Sequence, residues 1–245
     1  MALVAAFAGL LSVLASVIVG ARLLLLARRS RRTPELLIGL GLLLTGGLWS
    51  PLVAVGRQAT ALADPVRAAL VVTGALCGVV GVSSLAAFNW RVFRAADGWA
   101  RALAFAVALG LAASFALQGI ASSWIDYARE ERGPWMLSTW IVVANYAWAN
   151  VEAWRESSML GRRRKLGLAD PVVADRVRLW ALALLASLLA SGTAATCQAL
   201  GVPMGGTRIG LWLAGVAALA AASCLWLAFL PPAAYLERVR RHAAA

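Results

Sequence analysis

Apolar residues run in seven long stretches along this chain, at about 2–27, 36–56, 66–89, 102–123, 135–154, 177–200 and 208–230. Short polar segments carrying arginine separate them. Each stretch reaches the roughly 20 residues a helix needs to cross the ~30 Å hydrocarbon core of a bilayer. The runs are rich in Ala, Leu, Val and Gly and lack the period-two alternation of a membrane barrel strand. Unpaired backbone groups are intolerable in lipid, so the predicted elements are helices. The pattern predicts an all-α polytopic membrane protein, a single seven-transmembrane helix bundle spanning 1–245. Its tail, 231–245, is short and basic. Pro231-Pro232 stops the last crossing, and Tyr235, Leu236 and Val239 then alternate with Glu237, Arg238, Arg240 and Arg241, as in a short interfacial helix.

Composition agrees with a membrane location. The chain is 62% hydrophobic with only 14% charged residues and a mean hydropathy of +0.78, whereas a soluble domain carries ~25% charge. The distribution of basic residues then predicts the orientation. Arg28, Arg29, Arg31 and Arg32 follow the first crossing, and Arg91, Arg94 and Arg101 follow the third. Arg155, Arg162, Arg163, Arg164, Lys165, Arg176 and Arg178 follow the fifth, and Arg238, Arg240 and Arg241 lie beyond the seventh. The intervening loops hold only Arg57, Arg67, Arg129, Arg132 and Arg208. By the positive-inside rule the N-terminus is outside and the C-terminus cytoplasmic. The first run is too long, and its charge too late, for an ordinary signal peptide; an uncleaved anchor is expected.

The net charge of +12 is read as a topology signal that also meets anionic lipid headgroups, so no nucleic-acid partner is expected. Arginine dominance over lysine and abundant alanine point to a GC-rich bacterial genome, hence a bacterial inner (plasma) membrane. The segment Arg155 to Asp175, the longest cytoplasmic loop, is too short to fold independently. The pentapeptide Leu-Ala-Asp-Pro-Val occurs at 62–66 and again at 168–172. In both places Asp is expected to cap a helix whose first residue is Pro.

The residues needed for several chemistries are missing. His242 is the only histidine and lies in the tail, so histidine-ligated haem, a histidine zinc site and a Ser-His protease are not expected. Gly81-Val82-Ser83-Ser84 has no base to serve a serine nucleophile. Asp97-Gly98-Trp99-Ala100-Arg101 faintly resembles the opening of the phosphatidyl-alcohol transferase motif, but Ser114 and Gln118 stand where that family needs metal-binding aspartates. Cys77, Cys197 and Cys224 fall within apolar runs and read as small hydrophobes. No enzyme activity, metal or cofactor is expected. Glycines 74, 78 and 81 form a small-residue stripe suited to close helix packing or to a homodimer face.

Polar residues inside the crossings carry the functional signal, because lipid makes them costly. Ser138, Asn145 and Glu152 recur every seven residues on crossing five, within about 40° of one another and ~21 Å from end to end, with Trp148 beside them. Ser114, Gln118 and Ser122 form a row on crossing four, and Ser187, Ser191 and Gln198 a row on crossing six. If crossings four, five and six adjoin, Gln118, Ser138, Asn145, Trp148, Ser191 and Gln198 line an outer polar ligand site; interhelical hydrogen bonding is the alternative use. At the inner end Arg22 lies level with Glu152 and is expected to pair with it, with Arg91 as the other candidate. Pro51 is expected to kink crossing two.

Seven crossings and an outward N-terminus resemble the transporter–opsin–receptor architecture. That resemblance implies a small-ligand binding or sensing protein, receptor-like and non-catalytic. It stops short of the retinal proteins, because the only lysine, Lys165, lies in a cytoplasmic loop and offers no Schiff base. Two other readings stay open: a facilitative transporter of a small neutral solute, and a structural subunit with a membrane-protein partner.

Overall fold

The computed structural model describes residues 2–121, 133–202 and 208–244, and it is helical wherever the sequence is apolar. The helices are α1 (Ala2–Ser30), α2 (Thr33–Gln58), α3 (Asp64–Phe93), α4 (Gly98–Ala121), α5 (Pro134–Lys165), α6 (Pro171–Ala199), α7 (Arg208–Phe229) and α8 (Ala233–Ala244). Ser122, from the expected polar row on crossing four, lies outside the described residues. Each of α1 to α7 packs against its neighbour in sequence, and α7 returns to α1, so the seven close into a ring. Helix α3 also touches α5 across it.

Six of these helices, α1–α4, α6 and α7, are long and apolar enough to cross a membrane. They mark the chain as a multi-pass membrane protein. Helix α5 falls short of that measure because Asn145, Asn150 and Glu152 interrupt its apolar run. Yet all three are buried against the other helices rather than presented outward.

Local sequence explains where the helices begin and end. Proline occupies the first turn of α2, α3, α5 and α6, where its missing N–H costs nothing. The two Leu-Ala-Asp-Pro-Val copies diverge. Asp170 caps α6 as expected, accepting from the Val172 N–H at 2.8 Å. Asp64 is instead the first residue inside α3, with Ala63 at the cap position, and it pairs with Arg67 at 3.1 Å. The expected 155–175 loop is mostly helix: α5 continues to Lys165, three turns past the end of its apolar run. It stops where Gly167 takes a φ of +70°, with Gly167 and Leu168 N–H groups returning to the Arg164 and Arg163 carbonyls. Gly201, with a φ of +68°, closes α6 in the same Schellman arrangement.

The kink expected at Pro51 is resolved differently. Leu43–Trp49 is a π-helical segment, and it ends immediately before Ser50-Pro51. An α-helical Pro51 would press on the carbonyl four residues earlier; the wider turn lets α2 continue through it. The glycine stripe of α3 faces this segment. A Cβ on Gly78 would lie 2.8 Å from the Trp49 ring, and one on Gly81 would lie 2.8 Å from Thr45. The stripe therefore serves packing within the chain, which leaves it unavailable as a homodimer face.

Arginines 28, 29, 94, 155 and 162–164 gather at the ends of α1, α3 and α5, which we term the basic end. There the centre of the ring is filled: Val19, Leu23, Phe88, Ala149, Trp180, Leu184 and Leu225 form one buried cluster. Trp180 packs edge-on between Phe88 and Phe229, with ring centroids at 6.3 and 5.9 Å. Helix α8 docks beside this end through the Tyr235 hydroxyl, which donates to Asp175 at 2.7 Å. At the opposite end Arg67, 8% exposed, ties α2 to α3 by donating to the Gly56 and Arg57 carbonyls at 3.1 and 3.2 Å.

Candidate functional site

The polar residues of α4 and α5 do meet, but with α2 and α3 rather than α6 as their companions. A small cavity of about 30 Å³ lies among Trp49 of α2, Gly78 of α3, Ser114 and Gln118 of α4, and Trp135 and Ser138 of α5. That volume holds one or two water molecules and no larger organic ligand. Trp49 and Trp135 meet edge-on at 6.3 Å, and the Arg57 guanidinium lies 5.3 Å from the Trp135 ring centre. The π segment therefore has a direct consequence here, because its last residue is one wall of the cavity.

Serine hydroxyls at the cavity are already committed. Ser114 donates to the Pro134 carbonyl, linking α4 to the start of α5. Ser138 donates to the Trp135 carbonyl at 2.7 Å in its own helix. Gln118 is 5% exposed and lines the same space.

Asn145 lies two turns farther along α5 toward the basic end and does not line the cavity. It is 1% exposed, and neither its carboxamide oxygen nor its nitrogen has a partner. The Asn89 amide nitrogen of α3 and the Trp148 and Trp90 indole nitrogens are buried without acceptors as well. This interior between α3, α4 and α5 thus holds several buried polar atoms without a protein partner. Trp148 itself turns toward the start of α4, its ring 6.1 Å from Trp99.

Two expected site residues fall elsewhere. Helix α6 packs against α5 and α7 and makes no substantial contact with α4. Ser191 accordingly donates to the Ser187 and Leu188 carbonyls of its own helix, and Gln198 is separated from Gln118 by α5. Of the rows expected to meet across crossings four to six, Gln118 and Ser138 thus share a cavity with Trp49 and Gly78, while Ser191 and Gln198 are not among its lining. The ring order decides this, because each helix neighbours the next and only α3 reaches across to α5.

The expected Arg22–Glu152 pair does not form. Arg22 donates to the Phe229 carbonyl at 3.2 Å, joining α1 to α7, and Arg91 lies 5.3 Å from the Trp90 ring centre. Glu152, 4% exposed, takes Arg94 instead, whose Nε donates to both carboxylate oxygens at 3.1 Å. Arg155 adds a longer contact of 3.5 Å. The hydrogen bond and then the charge of Glu152 raise the Arg94 pKa above its ordinary value. Arg94 was legible only as a basic loop residue; its capping position at the end of α3, level with Glu152, is a product of packing.

Among the described residues no three His, Cys, Asp or Glu side chains gather as a metal site would require. Comparison with protein-family models, with curated proteins and with solved structures finds no match for this chain. The resemblance to the transporter–opsin–receptor architecture therefore gains nothing from these comparisons, and it carries no activity with it.

Proposed function

We propose that this protein is a seven-crossing membrane receptor or sensor for a small neutral hydrogen-bonding molecule, non-catalytic, with its N-terminus outside and its C-terminus cytoplasmic. Helix α5 is the seventh crossing in this reading, since it is held among α3, α4 and α6 and turns its polar residues inward. The observation that carries the proposal is Asn145, buried with both amide atoms unpaired. A ligand carrying one donor and one acceptor would satisfy it. The cavity walled by Trp49 would serve as the entry, and the π segment of α2 is the element able to rewind and widen it.

A facilitative transporter of a small neutral solute is the second reading, favoured by the Ser138–Asn145–Glu152 stripe along α5. The filled aromatic core at the basic end supports sensing over transport, because it closes the ring beneath the stripe. Titration of the purified protein with urea, acetamide and glycerol, followed by tryptophan fluorescence, tests the proposal. A saturable change with at least one solute, lost in Asn145→Leu, is expected. A response that only rises linearly with every solute would overturn it, and saturable uptake into proteoliposomes would favour the transporter.

A further inference from the structure

A second concavity, at the basic end, has the size and chemistry that the interior cavity lacks. It encloses about 650 Å³ between the end of α3 and the part of α5 where its apolar run gives way to the projecting turns. Ligand clefts for organic molecules fall at roughly 300–1,000 Å³. Its lining mixes apolar side chains, Phe93, Val151, Trp154 and Met159, with Arg155, Ser158 and Arg162, and the α5 members of both kinds alternate along one face of that helix. Val151 and Met159 are about half exposed. Apolar side chains thus stand open to the surroundings beside two guanidinium groups.

The charges within this cleft are unequally committed. Arg94 neutralises Glu152 through both carboxylate oxygens, and it also reaches Asp97 at 3.4 Å. Arg155 touches Glu152 only at 3.5 Å, and its side chain is 59% exposed. Buried Glu152 therefore steers Arg155 without consuming its charge. Arg162 lies two turns farther on the same face of α5, and Glu156 supplies the one other carboxylate of the lining.

We infer that this cleft binds the phosphodiester headgroup of an anionic phospholipid. Arg155 and Arg162 hold the phosphate, Ser158 donates between them, and an acyl chain lies along Val151, Phe93 and Trp154. Guanidinium groups suit phosphate oxygens because their planar N–H pairs match them. Basic recesses between membrane helices on one side of a bilayer suit lipid headgroups. The apolar side chains beside the guanidinium groups favour a lipid over a free phosphate, which would gain nothing from them. This inference rests on the multi-pass membrane character of the chain and is independent of the interior ligand.

Native mass spectrometry of the full chain, with phosphatidylglycerol and phosphatidylcholine of matched acyl chains, tests it. One phosphatidylglycerol should be retained at least tenfold more strongly than phosphatidylcholine. Arg155→Gln/Arg162→Gln should abolish that preference. Arg163→Gln/Arg164→Gln, which removes the same charge from the exposed turn just beyond, should keep it. Inorganic phosphate at millimolar concentration should leave the bound lipid in place. Equal retention of the two lipids, equal losses in both double variants, or displacement by inorganic phosphate would each overturn the assignment.

Discussion

Glu152 and Arg94 form an unequal pair, because the carboxylate is buried while the guanidinium side chain is about one-third exposed. Removing Arg94 strands a buried charge that Arg155 reaches only weakly. Removing Glu152 leaves a cation that water can still solvate. Arg94→Ala should therefore lower stability more than Glu152→Gln does, because only the first leaves a buried charge unpaired. Thermal unfolding in detergent, with the two melting temperatures compared, checks the order. Asn145 predicts the reverse of an ordinary core substitution: Asn145→Leu removes two unpaired polar atoms and should stabilise the empty protein by about 1–2 kcal/mol. The same variant should lose the solute response, as residues kept for binding rather than stability do. Tyr235, outside the spanning helices, supplies a pH dependence. Burial first, and then its hydrogen bond to Asp175, push its hydroxyl up to about 12. Its contribution to docking α8 should be complete below pH ~10, the ordinary tyrosine value, and lost as pH rises through the folded value. Tyrosinate absorbance compared between the wild type and Tyr235→Phe measures that midpoint. The inward stripe of Ser138, Asn145 and Glu152 was legible from its seven-residue period. The partner of Glu152 was not, because Arg22, Arg91 and Arg94 all stand at the same depth and only packing chooses among them.

At the scale of the element, α2 is where sequence and structure differ most instructively. Pro51 announces a disturbance, but proline alone does not say whether a helix will kink, stop or widen. Here it widens over Leu43–Trp49, where Gly46 and Gly47 leave room and the glycines of α3 let Trp49 and Thr45 approach. Gly78→Ala should therefore push the Trp49 ring away from α3. The expected cost is about 1–3 kcal/mol, as for other overpacked cores, with a shifted tryptophan emission maximum as the readout. The start of α6 was readable because Asp170 caps it and Pro171 follows in its first turn. Helix ends were less so: the Gly167 and Gly201 stops depend on the positive φ that the chain adopts there. The extension of α5 to Lys165 was hidden for a related reason. Charge reads as loop in a hydropathy pattern, whereas Arg, Lys and Glu are good helix formers.

For the molecule as a whole, the apolar pattern conveyed the number and order of the helices, while the ring arrangement decided which polar rows could meet. Rows on crossings four and five share a cavity; the row on crossing six faces other neighbours. The account stands or falls on α5, the one long helix whose polar interior residues keep it from looking like a crossing. If it spans the membrane, the bundle has seven crossings and the termini lie on opposite sides. Single cysteines placed at Ala2 and Ala243, in a chain whose three native cysteines are serine, can be labelled from one side with a membrane-impermeant maleimide. Labelling of Ala2→Cys from outside, with Ala243→Cys reactive only after the membrane is opened, is the result expected. Both termini labelling from the same side would leave six crossings and contradict the seven-helix bundle.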